Sequence, residues 1–194
     1  MASGAPSDEL SLIRRIVAGE REAFAHLVRA YQAPVLRLCQ SMLNDAALAE
    51  DAAQDAFLKA YEALPSFRQA SRFSTWLYRI AANRCLDLIR KRRREPAESW
   101  DALVEQEGEP PRDRTAPAPD PAGQLANADL IRQTLAQLPP EYRLVLVLRE
   151  VQGLSYQEIA ATLDCSVDAV KARLRRAREA LLDRARHFLR IGGV

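Results

Sequence analysis

The sequence predicts an all-α protein, with two small helical domains joined by a flexible linker. Three observations predict it. Apolar residues recur every three to four positions through most of the chain, as in Phe24, Leu27, Val28 and Tyr31, the period of amphipathic helices. Prolines and capping residues cut these runs into pieces of helical length. Six of the eleven prolines fall in residues 95–123, with eight acids against two arginines, and such a stretch neither sustains a helix nor buries a core. The domains are therefore expected at residues 7–95 and 124–192, with the acidic linker at 96–123 between them.

Each element has a local cause. Ser7 is expected to cap a first helix that carries Asp8 and Glu9 at its start and ends at Gly19. The run from Phe24 to Tyr31 continues at helical spacing, and Pro34 marks a kink or a fresh start. Asp45 opens an alanine-rich helix that Pro65 stops after Leu64, and Ser66 to Ser71 form a short connection. A long helix follows from about Arg72 to Arg94, closed by Pro96, with Phe73, Leu77, Ile80, Ala81 and Leu88 as its apolar stripe. Arg84 falls inside that stripe, where it needs either a path to water or a buried acid. In the second domain, Leu125 to Leu138 and Glu141 to Val151 read as helices, separated by Pro139-Pro140 and ended near Gly153. The run LVLVL within the second has strand-like content, but its length, the proline at its start and its neighbours favour a helix.

Charge is sorted along the chain although the net charge is only +2. Residues 71–94 hold eight Lys/Arg against one acid, and residues 171–178 hold five with none. Two basic segments flanking an acidic one suggest two separate polyanion contacts. Cys39, Cys85 and Cys165 are scattered and odd in number, and His26 and His187 are the only histidines. That set fits neither a disulfide framework nor a zinc site, so reduced thiols and no metal are expected. No nucleophile–base pair is evident, so neither enzymatic activity, cofactor nor small-molecule substrate is expected. The first residues, MASGAPSDEL, lack the basic end and apolar stretch of a secretory signal. The longest apolar run, Leu144 to Leu148, is far short of the roughly 20 residues that span a bilayer. A cytoplasmic protein, not itself membrane-embedded, is the expectation.

The C-terminal domain carries the most specific local pattern. Ser155 and Glu158 form a capping box, and Leu154 and Ile159 supply the apolar staple around it. A short helix runs to Leu163, Asp164-Cys165 make a tight turn, and Ser166 caps the next helix. Two capped helices joined so closely form a helix-turn-helix. In the second of them Val167, Val170, Leu174, Ala177 and Leu181 form the inward stripe, while Lys171, Ala172, Arg175 and Arg176 fall on another face. An arginine on such a face can donate two hydrogen bonds to guanine in the major groove, and neighbouring cations hold phosphates. In the N-terminal domain the long helix places Thr75, Arg79, Asn83 and Arg90 on one polar face, with Trp76 at its edge, and ends in Arg90-Lys91-Arg92-Arg93-Arg94. Aromatics beside cations suit unpaired bases. Phe73 reads as core, and Trp76 is open between core and base stacking.

Three blocks in order carry a family resemblance: EDAAQDAFLKAYEAL at residues 50–64, FSTWLYRIAANRCLDLIRKRRR from Phe73, and LREVQGLSYQEIAATLDCSVDAVKARLRRAREAL from Leu148. They resemble the extracytoplasmic-function (ECF) branch of the sigma-70 family. The first is similar to the segment that grips the clamp helices of RNA polymerase, the second to the promoter-melting and −10-reading segment, the third to the −35-reading domain. The resemblance implies core polymerase and promoter DNA as partners, with an anti-sigma factor as a third. It places Asp51, Gln54, Asp55 and Phe57 against core polymerase; helical spacing puts the first three on one face and Ala53, Phe57 and Leu64 toward a core. Ser66, Phe67, Arg68, Gln69, Ala70 and Ser71 match the loop that pockets a flipped −10 base, and Trp76, Arg79, Asn83, Arg90 and Lys91 the helix that reads that element. Ser155, Lys171, Ala172, Arg175 and Arg176 match −35-contacting positions, although family members often carry a hydroxyl residue at Ala172 and an aromatic or aliphatic one near Arg175. The acidic linker matches in position the segment that follows the RNA path toward the active centre. Two other readings stand beside this one, a free-standing helix-turn-helix regulator and a helical protein whose basic faces bind acidic partners.

Overall fold

The computed structural model describes residues 6–67, 71–94 and 133–191, and every regular element among them is helical. The expected linker with its acids, and Arg68, Gln69 and Ala70 of the expected base-capturing loop, lie outside the described residues. Helix α1 (Pro6–Val17) starts one residue before the expected Ser7 cap, with proline itself in the first turn, where its missing amide costs nothing. Gly19 ends that segment at φ +107°, a conformation open to glycine. A 3-10 turn (Arg21–Ala23) leads into α2 (Phe24–Leu43), which runs through Pro34 without a break. Burial of Leu27, Val35, Leu38 and Met42 on both sides of the proline holds the helix together against a penalty of about 3 kcal/mol.

Asp45 caps α3 (Ala46–Ala63), accepting from the Leu48 amide at 2.9 Å. Its buried side is almost all alanine, at positions 49, 52, 53, 56 and 60, so α2 and α4 (Phe73–Arg94) approach its backbone closely. Leu38 and Met42 from α2 and Phe73 and Leu77 from α4 fill the space that remains. Truncating a residue such as Leu38 to alanine would cost about 2–5 kcal/mol.

In the second unit residues 133–136 are helical, and α5 (Pro140–Leu146) passes directly into a π turn (Val147–Val151). The single helix expected from Glu141 to Val151 is thus two kinds of helix, with the Gln152 amide bonded to the Val147 carbonyl at 3.0 Å. Leu144 to Leu148 are all buried, so the run has neither the polar side of an amphipathic helix nor the alternation of a half-buried strand. The helix-turn-helix follows as α6 (Tyr156–Leu163) and α7 (Val167–Ile191), packed on this buried segment through Ile159, Val170, Leu174 and Ala177. The two units also touch: α6 lies against α4, and α5 and the π turn lie against α2.

Candidate nucleic-acid interface

The capping box of α6 is complete. The Ser155 hydroxyl accepts from the Glu158 amide at 3.2 Å, and the Glu158 carboxylate accepts from the Ser155 amide at 2.9 Å. That backbone amide, the serine hydroxyl and Arg72 all favour the anion, and the Glu158 pKa lies below its ordinary value. Asp164 closes α6 in the left-handed conformation, at φ +52°. Ser166 then starts α7 by accepting from the Ala169 amide at 3.1 Å.

These turns aim α7 as its sequence pattern requires. Val170, Leu174 and Ala177 face inward, and Lys171, Arg175 and Arg176 face solvent. Ala172 is half-buried between them, which leaves a flat step in the cationic face. Lys171 pairs with Asp168 at 3.1 Å and Arg175 with Glu179 at 3.8 Å, both exposed contacts that an incoming phosphate displaces at little cost. Arg176 has no ion pair among the described residues. Arg178, beyond this face, is drawn to Glu150 at 2.8 Å, which raises its pKa, and Arg173 leans toward the Cys165 sulfur.

The face of α4 is built differently. Phe67, Phe73 and Trp76 form an aromatic group, Trp76 lying 5.1 Å from Phe67 and 5.7 Å from Phe73 between ring centroids. Phe73 is fully buried, as expected, whereas Trp76 is half-buried: one side packs on these rings and the rest reaches the surface. Arg79 is half-exposed, Asn83 and Arg90 are exposed, and Ser66 and Ser71 flank the aromatic group. Thr75 departs from the expected polar face. It is 2% exposed, on the side of α4 that also carries the buried Tyr78 and Ala82, so core packing claims a position at the edge of the polar face. The basic end is tied down by Arg92, which reaches the Asp45 cap at 2.8 Å, and by Arg90, which bonds Asp87 at 3.2 Å.

A third surface lies on α3. Asp51 and Gln54 are exposed, but Asp55 turns from them toward α4 and pairs with Arg84 at 2.6 Å. This is the acid that Arg84 needed. Phe57 is half-buried at the floor of an open groove between α2 and α3, about 670 Å³ in volume, with Phe24, Val28, Leu58 and Tyr61 along it and Gln54 at its rim. Leu58 is 63% exposed, the largest exposed apolar side chain on this surface. Leu58 and Tyr61 are not among the residues singled out from the sequence; they follow Gln54 at helical spacing, the signal that could have found them.

Residues 27–95 match Sigma-70 region 2, and residues 128–181 match Sigma-70, region 4. The RNA polymerase sigma-H factor of Pseudomonas aeruginosa is 40% identical over 173 residues, 88% of this chain and 90% of that one. The ECF RNA polymerase sigma-E factor of Escherichia coli K12 is 38% identical over 183 residues, 92% of this chain and 95% of that one. Among solved structures, CnrH in complex with the cytosolic domain of CnrY aligns over 89% of this chain and 94% of its own, with a TM-score of 0.66 and 29% identity. The sigma factor RpoE bound to the anti-sigma factor NepR, from Bartonella quintana, aligns over 84% and 96%, with a TM-score of 0.64 and 26% identity. The chain belongs to the sigma-70 family, within its ECF branch. It is an RNA polymerase sigma factor that directs promoter-specific initiation. Neither a free-standing regulator nor a general acidic-partner binder accounts for region 2. No helix among the described residues is long and apolar enough to cross a membrane.

Proposed function

We propose that three surfaces divide the work of initiation among the residues described above: α3 and its groove hold core polymerase, α7 reads the duplex −35 element, and α4 with its preceding connection captures −10 bases. The observation that carries this reading is the pairing of two unlike cationic faces on one chain. The α7 face is smooth and charged, with an apolar stripe buried behind it, which suits insertion into a major groove. The α4 face sets Arg79 and Asn83 beside a part-exposed tryptophan, which suits bases that have left the stack.

On this reading Arg175 and Arg176 contact base edges, Lys171 holds phosphate, and Ser155 sits at the other helix of the motif as a backbone contact. Asn83 offers a base edge both a donor and an acceptor. Trp76 and Phe67 give an extruded base an aromatic surface, and Ser66 and Ser71 edge its pocket, with Arg90 and Lys91 along the strand. Flipping a base costs a few kcal/mol, which capture in a fitted pocket offsets, so opening needs no nucleotide hydrolysis. Asp51, Gln54 and Phe57 dock polymerase with the exposed Leu58, while Asp55 serves the dock by fixing α3 to α4. The functional domains run over residues 7–95 and 124–192, with 96–123 joining them and following the RNA path. The protein acts in the cytoplasm without catalysis of its own. The complex of the sigma factor RpoE with the anti-sigma factor NepR supports an anti-sigma factor as a further partner.

Run-off transcription with purified core polymerase tests this. Core enzyme with the chain is expected to start discrete transcripts that neither makes alone. A mixture no better than bare core on every promoter of a genomic library would overturn the reading.

A further inference from the structure

Helix α1 lies ahead of residues 27–95, which match Sigma-70 region 2, yet it packs on α2 and on the turn Leu64–Ser66 that leads into Phe67. Ile13 and Ile16 bury its inner side, which gives it a fixed seat. From that seat the Glu9 carboxylate accepts a hydrogen bond from the Tyr31 hydroxyl on α2. The Tyr31 ring stands edge-on to Phe73, with 5.5 Å between centroids and 61° between planes. Phe73, itself fully buried, meets Phe67 at 6.0 Å and Trp76 at 5.7 Å. A chain of contacts thus runs from α1 through the core to the two part-exposed rings assigned to an extruded base.

We infer that α1 is a strut for the −10 pocket: Glu9, acting through Tyr31, holds in place the aromatic group that receives the extruded base. This rests on the assignment of α4 and its preceding connection to −10 DNA. Glu9 and Tyr31 act through other side chains, so both are positioning residues. Edge-to-face contacts depend on where each ring sits. A ring pinned at its far end keeps its place against Phe73, whereas a ring held by packing alone can slide. The bond suits that task. A hydroxyl donated to a carboxylate is roughly twice as strong as a neutral pair. Burial, and then Glu9 itself, raise the Tyr31 pKa, so the donor keeps its proton. Phe67 and Trp76 are open to solvent on one side, so their support has to come from behind. Rings already in place also lose less freedom when a base is captured.

The test uses the full chain carrying Trp100→Phe, which leaves Trp76 as its only tryptophan. The first readout is acrylamide quenching of Trp76 in that chain. The second is fluorescence anisotropy of the holoenzyme, formed with core polymerase, on labelled mixed-sequence DNA of about 20 nucleotides, single-stranded and duplex. Glu9→Ala and Tyr31→Phe remove the bond from opposite ends, the second with no change of charge. Glu9→Gln removes the charge and keeps an acceptor. The first two should open Trp76 to the quencher and weaken single-strand binding about fivefold with duplex binding unchanged, while Glu9→Gln stays near the parent chain. Combining Glu9→Ala with Tyr31→Phe should cost no more than either alone, because the two share one bond. Trp76 quenching unmoved by either variant sinks the strut, as does an equal loss on single-stranded and duplex DNA, the mark of general loosening. Trp76 released with single-strand binding intact instead sinks the −10 assignment beneath it. Quenching needs neither polymerase nor DNA, so the two failures are told apart.

Discussion

Asp55 and Arg84 tie α3, the helix proposed to dock polymerase, to α4. Their contact is part-exposed, at 39% and 30%, and the Arg84 Nε is buried without a hydrogen-bond partner. Removing the carboxylate leaves a guanidinium with still less to bond, so Asp55→Asn should cost about 1 kcal/mol in urea unfolding. Asp51→Ala and Gln54→Ala, both exposed, should leave the midpoint within about 0.5 kcal/mol of wild type while weakening association with core polymerase. The three together separate a docking residue from one that positions the dock. Asp45 gives a prediction in pH. Its carboxylate accepts from the Leu48 amide and meets Arg92, both of which lower its pKa in the folded chain. The stabilisation is therefore full above the ordinary carboxylate range and is lost as pH falls through the folded value. Asn is also a good N-cap, so Asp45→Asn should keep α3 but flatten the decline in urea midpoint between neutral pH and roughly pH 3. An unchanged slope would remove Asp45 from the acid response. The Cys85 thiol is pushed up by its hydrogen bond with Cys39 and by burial, which keeps it protonated and unreactive.

At the scale of elements, α7 joins two functions in one helix, since the stripe that fixes its position is also what points its cations outward. Arg176, free of intrachain pairing among the described residues, should contribute most directly to duplex binding. Arg176→Ala is expected to weaken −35 binding by about 1–3 kcal/mol if it reads a base, with relaxed preference at one position. A purely phosphate-holding role would instead lower affinity evenly and reduce the salt slope by about one, so titration at several salt concentrations on cognate and altered −35 duplexes decides between them. The π turn before the motif matters in the same way. By holding one extra residue in its loop it turns Gln152 toward α2, and it brings Arg149 over the Tyr156 ring at 5.0 Å from the centroid.

At the scale of the molecule, the two proposed DNA faces belong to one chain, so binding at one would raise the effective concentration of the other. Asn83→Ala should therefore blunt discrimination among −10 sequences in run-off assays while leaving −35 duplex affinity unchanged. Equal loss on cognate and scrambled −10 elements would contradict base reading by Asn83. The same scale also shows where reading a sequence stops. The capping box, the Ser166 cap and the inward Val170, Leu174 and Ala177 of α7 are all written in contacts a few residues apart, and they stand in the structure as the spacing required. Thr75 and Pro34 departed from expectation because core packing on several helices outweighed a local rule.

By itself the sequence determined the helical class, the Asp45, Ser155 and Ser166 caps, the outward cations of α7 and the family, because each depends on neighbours within a turn or two or on motifs in fixed order. Only the tertiary structure decided that Asp55 turns inward to Arg84, that Leu58 opens a groove with Phe24 and Val28, and that Arg143 and Gln152 reach carbonyls 101 and 118 residues away. The physical reason is that periodicity tells a side chain which way to face, whereas its partner is chosen by whatever the fold brings to that face.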